Sequence, residues 1–109
     1  MTEPVTVAST VRVLSARFVD PSVRRGQRVT ALLSVYPYSN GVATLQRWDG
    51  HRWIGVKWVS LQNGLGWYAF TASTLGTTAF RFVVPPLVAP NRLPVAGTTT
   101  HTFALRVSP

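Results

Sequence analysis

The sequence predicts an all-β fold, an antiparallel sandwich of about seven strands. Good helix formers never run together, and the apolar residues show no helical period. Apolar residues instead recur every second position in short segments, as at Val29, Ala31, Leu33 and Val35. Turn residues such as Asp-Gly, Asn-Gly and Pro-Pro separate these segments at the spacing expected of a sandwich or barrel.

Seven strands can be placed in order along the chain, at about 10–18, 27–36, 42–48, 52–61, 66–72, 78–84 and 99–107. Asp49-Gly50 and Asn63-Gly64 are hairpin turn signals, because these residues tolerate positive φ. Gly55 lies inside the fourth strand and indicates a bulge or a close backbone approach. This pattern is typical of an immunoglobulin-like sandwich. Residues 1–9 are therefore interpreted as an N-terminal tail and residues 10–109 as one domain.

Residues 85–98 are the longest stretch predicted to be irregular, and they contain four prolines. A long loop at the end of a sandwich can be a contact loop or a simple crossover between sheets. If it is a contact loop, its candidate contact residues are Pro86, Leu87, Pro90, Asn91 and Arg92. In the strand that follows, His101 is expected to be partly buried on the same face as Phe103 and Leu105.

The charge is lopsided, with 11 Lys and Arg against 3 Asp and Glu and a net charge of +8. Such a charge favours anionic partners: a nucleic acid, another anionic polymer or an acidic protein surface. The cations are spread along the whole chain and no nucleic-acid-binding motif accompanies them, so nucleic acid is the least favoured of the three. Ten of the eleven cations are Arg, which a GC-rich genome would also produce.

The side chains needed for catalysis are scarce. The carboxylates are Glu3 in the tail, Asp20 before a proline and Asp49 in a hairpin turn, whereas glycoside hydrolysis needs two that converge on one cleft. His51 and His101 lack partners for a catalytic triad, and cysteine is absent. A metal site needs three or four ligands. The sequence therefore predicts no enzyme, no metal site and no cofactor.

The location of the protein is only loosely constrained. No apolar run approaches the ~18 residues of a membrane-spanning helix, so membrane insertion is not expected. The start, Met1-Thr2-Glu3-Pro4, has no basic segment followed by an apolar one, unlike a signal peptide. We expect either a domain of a longer exported chain or a protein that is never secreted.

Several landmarks over residues 26–84 and the adjoining Pro85 follow a known family pattern: Gly26-Gln27-Arg28-Val29-Thr30, Leu45-Gln46-Arg47, Gly50 with Trp53 and Val56, Gly66 with Tyr68 and Phe70, and Phe80-Arg81-Phe82-Val83-Val84-Pro85. The chain resembles the bacterial immunoglobulin-like (fibronectin-III-like) modules of actinobacterial surface and secreted proteins, which also occur in actinophage virion proteins. The resemblance implies a non-catalytic structural or protein-contact module. Its expected location is extracellular or at the cell surface, or else the virion surface as a decoration or tail protein. The landmarks are core and turn positions, which specify fold better than function.

Three tryptophans depart from that resemblance. Trp48, Trp58 and Trp67 stand where the family usually has small, polar or charged residues. Trp53 and Tyr68, in contrast, fill positions that are aromatic in the family, and they are expected at the core or its edge. With Arg47, Arg52 and Lys57, the three form the candidate contact set. The rings could anchor a protein partner, stack on sugars as in a carbohydrate-binding module, or pack over the sheet with Arg stacked on them. A bulge at Gly55 would flip the face predicted for Trp58.

Overall fold

The computed structural model describes residues 10–88 and 94–109 and confirms the all-β sandwich. Seven strands of six to nine residues, numbered in chain order with the shorter ones, are β1 Arg12–Phe18, β3 Arg28–Tyr36, β4 Gly41–Trp48, β5 Trp53–Leu61, β6 Leu65–Thr71, β7 Gly76–Val84 and β11 Phe103–Ser108. Strands of two or three residues are β2 Ser22–Arg24, β8 Leu87–Val88, β9 Pro94–Val95 and β10 Thr98–Thr99. Within the described ranges, no helix is long and apolar enough to cross a membrane.

The strands form two packed sheets. The smaller sheet has the order β1-β3-β6, and the larger has the order β2-β11-β7-β4-β5, with β10 paired to β7. These pairings are antiparallel except for that of β2 with β11, which is parallel. The chain therefore leaves the smaller sheet after Phe18 and joins the larger one at Ser22–Arg24. Arg106 N donates to Pro21 O (2.8 Å) and Arg25 N donates to Ser108 O (2.8 Å), which fixes both ends of this short strand.

The core lies between the two sheets and follows the predicted alternation. In β3, the side chains of Val29, Ala31, Leu33 and Val35 are buried, as expected. Phe82 of β7 is also fully buried, because it projects from the larger sheet into the same layer. Alternate positions along each strand therefore face the core, and the positions between them face outwards.

Aromatic contacts join the two sheets. The ring of Phe18, from the smaller sheet, lies edge-on to Phe80 (4.9 Å between centroids) and to Phe103 (5.1 Å), both from the larger sheet. It also contacts Phe70 of its own sheet at 6.1 Å. Edge-to-face pairs add about 0.5–1.5 kcal/mol to the gain from burying their area. Phe18 is therefore a principal inter-sheet contact.

The turn between β5 and β6 confirms the hairpin signal at Asn63-Gly64. Both residues have positive φ, 51° and 77°, as a type I′ turn requires. Gly64 is held by the β3–β4 region, because its N donates to Ser39 O (2.9 Å) and its O accepts from Val35 N (2.8 Å). A Cβ at Gly64 would collide with the carbonyl oxygen of Val35.

The described parts of residues 85–98 are more regular than the sequence predicts. β8 pairs with β9, and β10 pairs with β7, so short strands occupy much of residues 85–88 and 94–98. Pro86 is exposed. Leu87 is 4% exposed and belongs to the core, so its assignment as a contact residue is wrong. Pro90, Asn91 and Arg92 lie outside the described residues.

The last long strand starts at Phe103 rather than at residue 99 because Thr100 interrupts the ladder. Thr100 N donates to Phe82 O (2.9 Å), and the Thr100 hydroxyl accepts from Phe82 N (3.0 Å) and donates to His101 O (2.9 Å). The Thr100 hydroxyl thus accepts the hydrogen bond from Phe82 N that a backbone carbonyl would accept in a continuous strand. His101 lies in this break and is exposed, so its predicted burial on a strand face is wrong.

We expect Gly64→Ala to lower the free energy of unfolding by about 2–4 kcal/mol, because positive φ and the clash with Val35 O act together. Gly50→Ala is the matched control, since Gly50 also has positive φ (103°) but open space at its Cβ. Its cost should be about 1 kcal/mol. Urea unfolding of both variants measures the difference, and equal losses would contradict the account of this turn.

We expect Thr100→Val to lower the free energy of unfolding by about 1–3 kcal/mol, because the variant keeps the shape but leaves Phe82 N without its acceptor. Thr99→Val, at an exposed neighbouring position, should change stability by less than about 0.5 kcal/mol. Thermal or urea unfolding checks both values. A Thr100→Val protein as stable as the parent would show that this hydroxyl is dispensable.

Candidate functional site

Three of the four tryptophans share the outer face of the larger sheet. In the β4–β5 pair, Trp48 lies opposite Trp53 and Thr44 lies opposite Trp58. Residues directly opposite in an antiparallel pair point to the same side. Leu45, which alternates with Thr44, is fully buried, so Trp48, Trp53 and Trp58 all project away from the core.

A bulge in β5 makes this arrangement possible. Leu45 pairs with Lys57 but Gln46 pairs with Gly55, which leaves Val56 as an extra residue in β5. Of the two alternatives predicted at Gly55, a bulge or a close backbone approach, the structure shows a bulge, with the adjacent Val56 as its extra residue. Trp53 and Trp58 are five positions apart, an odd number that would place them on opposite faces of a regular strand. The extra residue restores them to one face.

An arginine from β7 is fixed against these rings. Arg81 lies opposite Gln46, and its Cζ atom is 4.3 Å from the centroid of the Trp53 ring. Its Nε donates to Gln46 Oε1 at 2.8 Å, and Trp48 packs edge-on against Trp53 at 5.4 Å. We call Trp48, Trp53, Arg81 and Gln46 the outer-face cluster. The sequence left three interpretations of the tryptophans open. The third, a ring that packs over the sheet with an arginine stacked on it, therefore applies to Trp53.

Arg81, Gln46 and Trp53 are absent from the contact set predicted by the sequence. Trp53 was expected at the core or its edge, and it is half-buried on the outer face. Arg81 stands between the core residues Phe80 and Phe82, so alternation alone could have placed it on the outside. Its position over Trp53 depends on the pairing of β7 with β4, which no local pattern reveals.

Trp58 is the most accessible of the four tryptophans. Its side chain is 78% exposed, against 39% for Trp48. Four β4 positions separate the partners of Trp53 and Trp58, a distance of about 13 Å along the strand. Beside Trp58 lies an open, shallow groove lined by Thr44, Gly55 and Lys57. Trp58 therefore presents a free ring at one end of a face whose other end is packed.

The structure separates the remaining predicted contact residues. Trp67, 62% exposed, pairs with Leu32 and projects from the smaller sheet, on the opposite side of the sandwich from Trp58. Arg47 and Lys57 occupy inward-facing positions at the margin of the larger sheet, and Lys57 Nζ lies 5.8 Å from the ring centroid of Tyr68. Arg52 is exposed in the β4–β5 turn. The six residues therefore do not form one surface.

The β4–β5 turn holds Trp48 and Trp53 side by side. The Oδ1 atom of Asp49 accepts hydrogen bonds from His51 N and Arg52 N, each at 2.7 Å. Because these bonds favour the charged form, they lower the pKa of Asp49 below its ordinary value of 3.8. Arg52 Nε lies 3.9 Å from Asp49 Oδ2, an exposed ion pair that contributes little to stability. Within residues 10–88 and 94–109, no group of three or more His, Asp or Glu side chains could hold a metal ion.

Comparison with known proteins supports the fold. No protein-family model matches the chain, and no curated protein matches its sequence significantly. Among solved structures, the chain is similar to the Pseudomonas fluorescens alkylpurine DNA glycosylase AlkC bound to DNA containing an abasic site analog, with a TM-score of 0.51 and 9% identity. The similarity covers 94% of this chain and 32% of that one, so this chain spans about a third of that protein's length. At this identity, the likeness concerns the fold alone.

We expect the stabilisation contributed by the Asp49 carboxylate to depend on pH. A carboxyl whose pKa is lowered on folding stabilises the folded state above its unfolded pKa, and loses that effect as pH falls through the folded pKa. The difference in free energy of unfolding between the parent and Asp49→Asn should therefore be constant near neutral pH and shrink below pH 3.8. Urea unfolding over this pH range measures it, and a difference that grows on acidification would contradict the assignment.

Proposed function

We propose that this chain is a non-catalytic immunoglobulin-like module that contacts a protein neighbour through the outer face of its larger sheet. The observation that carries this proposal is the grouping of Trp48, Trp53 and Trp58 with Arg81 on that face. Tryptophan and arginine are the residues most enriched among those that dominate binding energy at protein interfaces.

Preorganisation of Arg81 supports the proposal. An arginine that is free in solution loses up to about 2 kcal/mol of side-chain entropy when a partner immobilises it. Here Trp53 and Gln46 already hold the side chain in one orientation. The guanidinium has further N–H donors beyond the Nε that bonds Gln46, and these suit a partner's carboxylate or carbonyl.

The charge favours an acidic partner over a second copy of the chain. Two molecules of net charge +8 repel each other, whereas an acidic surface is attracted at long range. Arg106 of β11 alternates with the buried Leu105 and Val107, so it also projects from the outer face. A complementary neighbour would therefore have carboxylates around an apolar patch that receives the tryptophan rings.

The proposed setting comes from the family resemblance. The resemblance implies a module on an outer surface, in an exported actinobacterial protein at the cell surface or outside the cell. The alternative setting is the virion of an actinophage, as a capsid decoration or tail protein. In both, the domain would be an architectural part of a larger assembly or of a multidomain chain.

A second candidate function, carbohydrate binding, is favoured by Trp58 alone. Its ring is 78% exposed next to an open groove lined in part by Thr44. A flat, free aromatic ring beside a hydroxyl group can stack on a sugar ring. A glycan in this groove would occupy only the Trp58 end of the sheet.

For the protein-contact function, we expect Trp58→Ala and Arg81→Ala each to weaken binding to the native neighbour tenfold or more, about 1.4 kcal/mol or above. Trp67→Ala is the matched control, since it removes an exposed tryptophan from the opposite face. Side-chain footprinting of the intact assembly should show protection of Trp48 and Trp58 but not of Trp67. Protection confined to Trp67 would place the interface on the smaller sheet.

For the carbohydrate function, we expect binding on a glycan array that Trp58→Ala abolishes and Trp67→Ala leaves intact. Stacking on a single ring gives weak binding, so immobilised, multivalent display is the appropriate format. If the parent protein binds no glycan while footprinting shows a protein interface at Trp58, the carbohydrate function is eliminated.

A further inference from the structure

A second concave site lies away from the outer face. A cavity of about 300 Å³ opens between the β6–β7 loop and the inner side of the larger sheet. Its floor includes the core side chains of Phe80, Leu105 and Val107, and its rim carries the hydroxyls of Thr74 and Thr78. These three core side chains are only 4–5% exposed, so the apolar surface open to a ligand comes mainly from the half-buried Phe70 and the exposed Val56, which also line the cavity.

Arg47 supplies the charge of this cavity. Among the described residues that line it, Arg47 is the only ionised one. It lies opposite Phe80 in the β4–β7 pair, so its side chain starts beside the apolar floor. The nearby Asp49 is not part of the lining; the Arg47 charge helps to lower the pKa of Asp49, but the Asp49 Oδ1 atom already accepts two backbone hydrogen bonds within its own turn. The cavity therefore combines an apolar floor, hydroxyl groups and one positive charge.

We propose that this cavity binds a small carboxylate with a short apolar body. The apolar part would pack against Phe70 and Val56 at the edge of the core, and the carboxylate would pair with Arg47, with the hydroxyls of Thr74 and Thr78 as additional donors. The volume lies at the lower end of the range for small-molecule sites, which suits a short chain or a single ring. This site is independent of the tryptophans and of the function proposed for the outer face.

Octanoate is the probe, with 1-octanol as its uncharged match. Titration of the whole chain, followed by NMR, should give saturable shifts at the amides of Thr74, Thr78 and Phe80. Octanoate should bind about tenfold more tightly than hexanoate, because two more methylenes are buried. Octanol should bind at least tenfold more weakly than octanoate, because it cannot form the charge-assisted bond to Arg47.

Arg47→Gln tests the role of the charge. We expect a loss of octanoate affinity of tenfold or more with no change in octanol binding. Arg52→Gln is the matched control, since it removes an exposed cation from the same hairpin but outside the cavity, and it should bind octanoate as the parent does. Trp58→Ala should also leave binding unchanged. Equal affinity of the parent and Arg47→Gln, equal affinity for octanoate and octanol, or the absence of saturable shifts would each overturn the proposal.

Discussion

The packing of Phe18 against the larger sheet is the contact on which the sandwich depends. The other buried side chains of the smaller sheet are mainly aliphatic, such as Ala31 and Val35, and Phe18 is its buried aromatic. Its ring bridges to Phe80 and Phe103, and from Phe80 the aromatic contacts continue to Phe70 of β6. Because the inner faces of both sheets are occupied by core packing, a partner or ligand must bind mainly to the outer faces of the sheets, the loops, or the cavity beside Arg47.

The outer face of the larger sheet shows how one irregularity reorganises a surface. Alternation along β5 would divide Trp53 and Trp58 between the core side and the solvent side. A tryptophan on the inner side there would compete with Leu45 and Val59 for space in the core. The extra residue at Val56 removes that conflict and gives the sheet two aromatic positions on one face. One of them is covered by Arg81 and the other is open, so the same face offers both a fixed polar contact and an unoccupied ring.

Features encoded by neighbouring residues could be predicted from the sequence: the seven long strands, the Asn63-Gly64 turn and the Gly55 bulge. Features that depend on distant pairing could not. Arg81 reaches Gln46 across a separation of 35 residues, and Trp67 is separated from Trp58 because β6 pairs with β3. The short strand β2 has a single buried apolar residue, Val23, too little for a periodic signal. The break at Thr100 was missed because a hydroxyl that replaces a carbonyl leaves the strand pattern of the sequence unchanged.

The bulge has a further consequence at the margin of the molecule. β5 is one of the two edge strands of the larger sheet, and an edge strand can template the addition of a strand from another chain. Val56 breaks the regular spacing of its backbone donors and acceptors, and Lys57 holds a charge at an inward-facing position of the same strand. Both features oppose edge-to-edge joining, a known route to fibres. Copies of this domain crowded side by side, as in a repeat array or a surface lattice, would therefore be hindered from merging into a continuous sheet through β5.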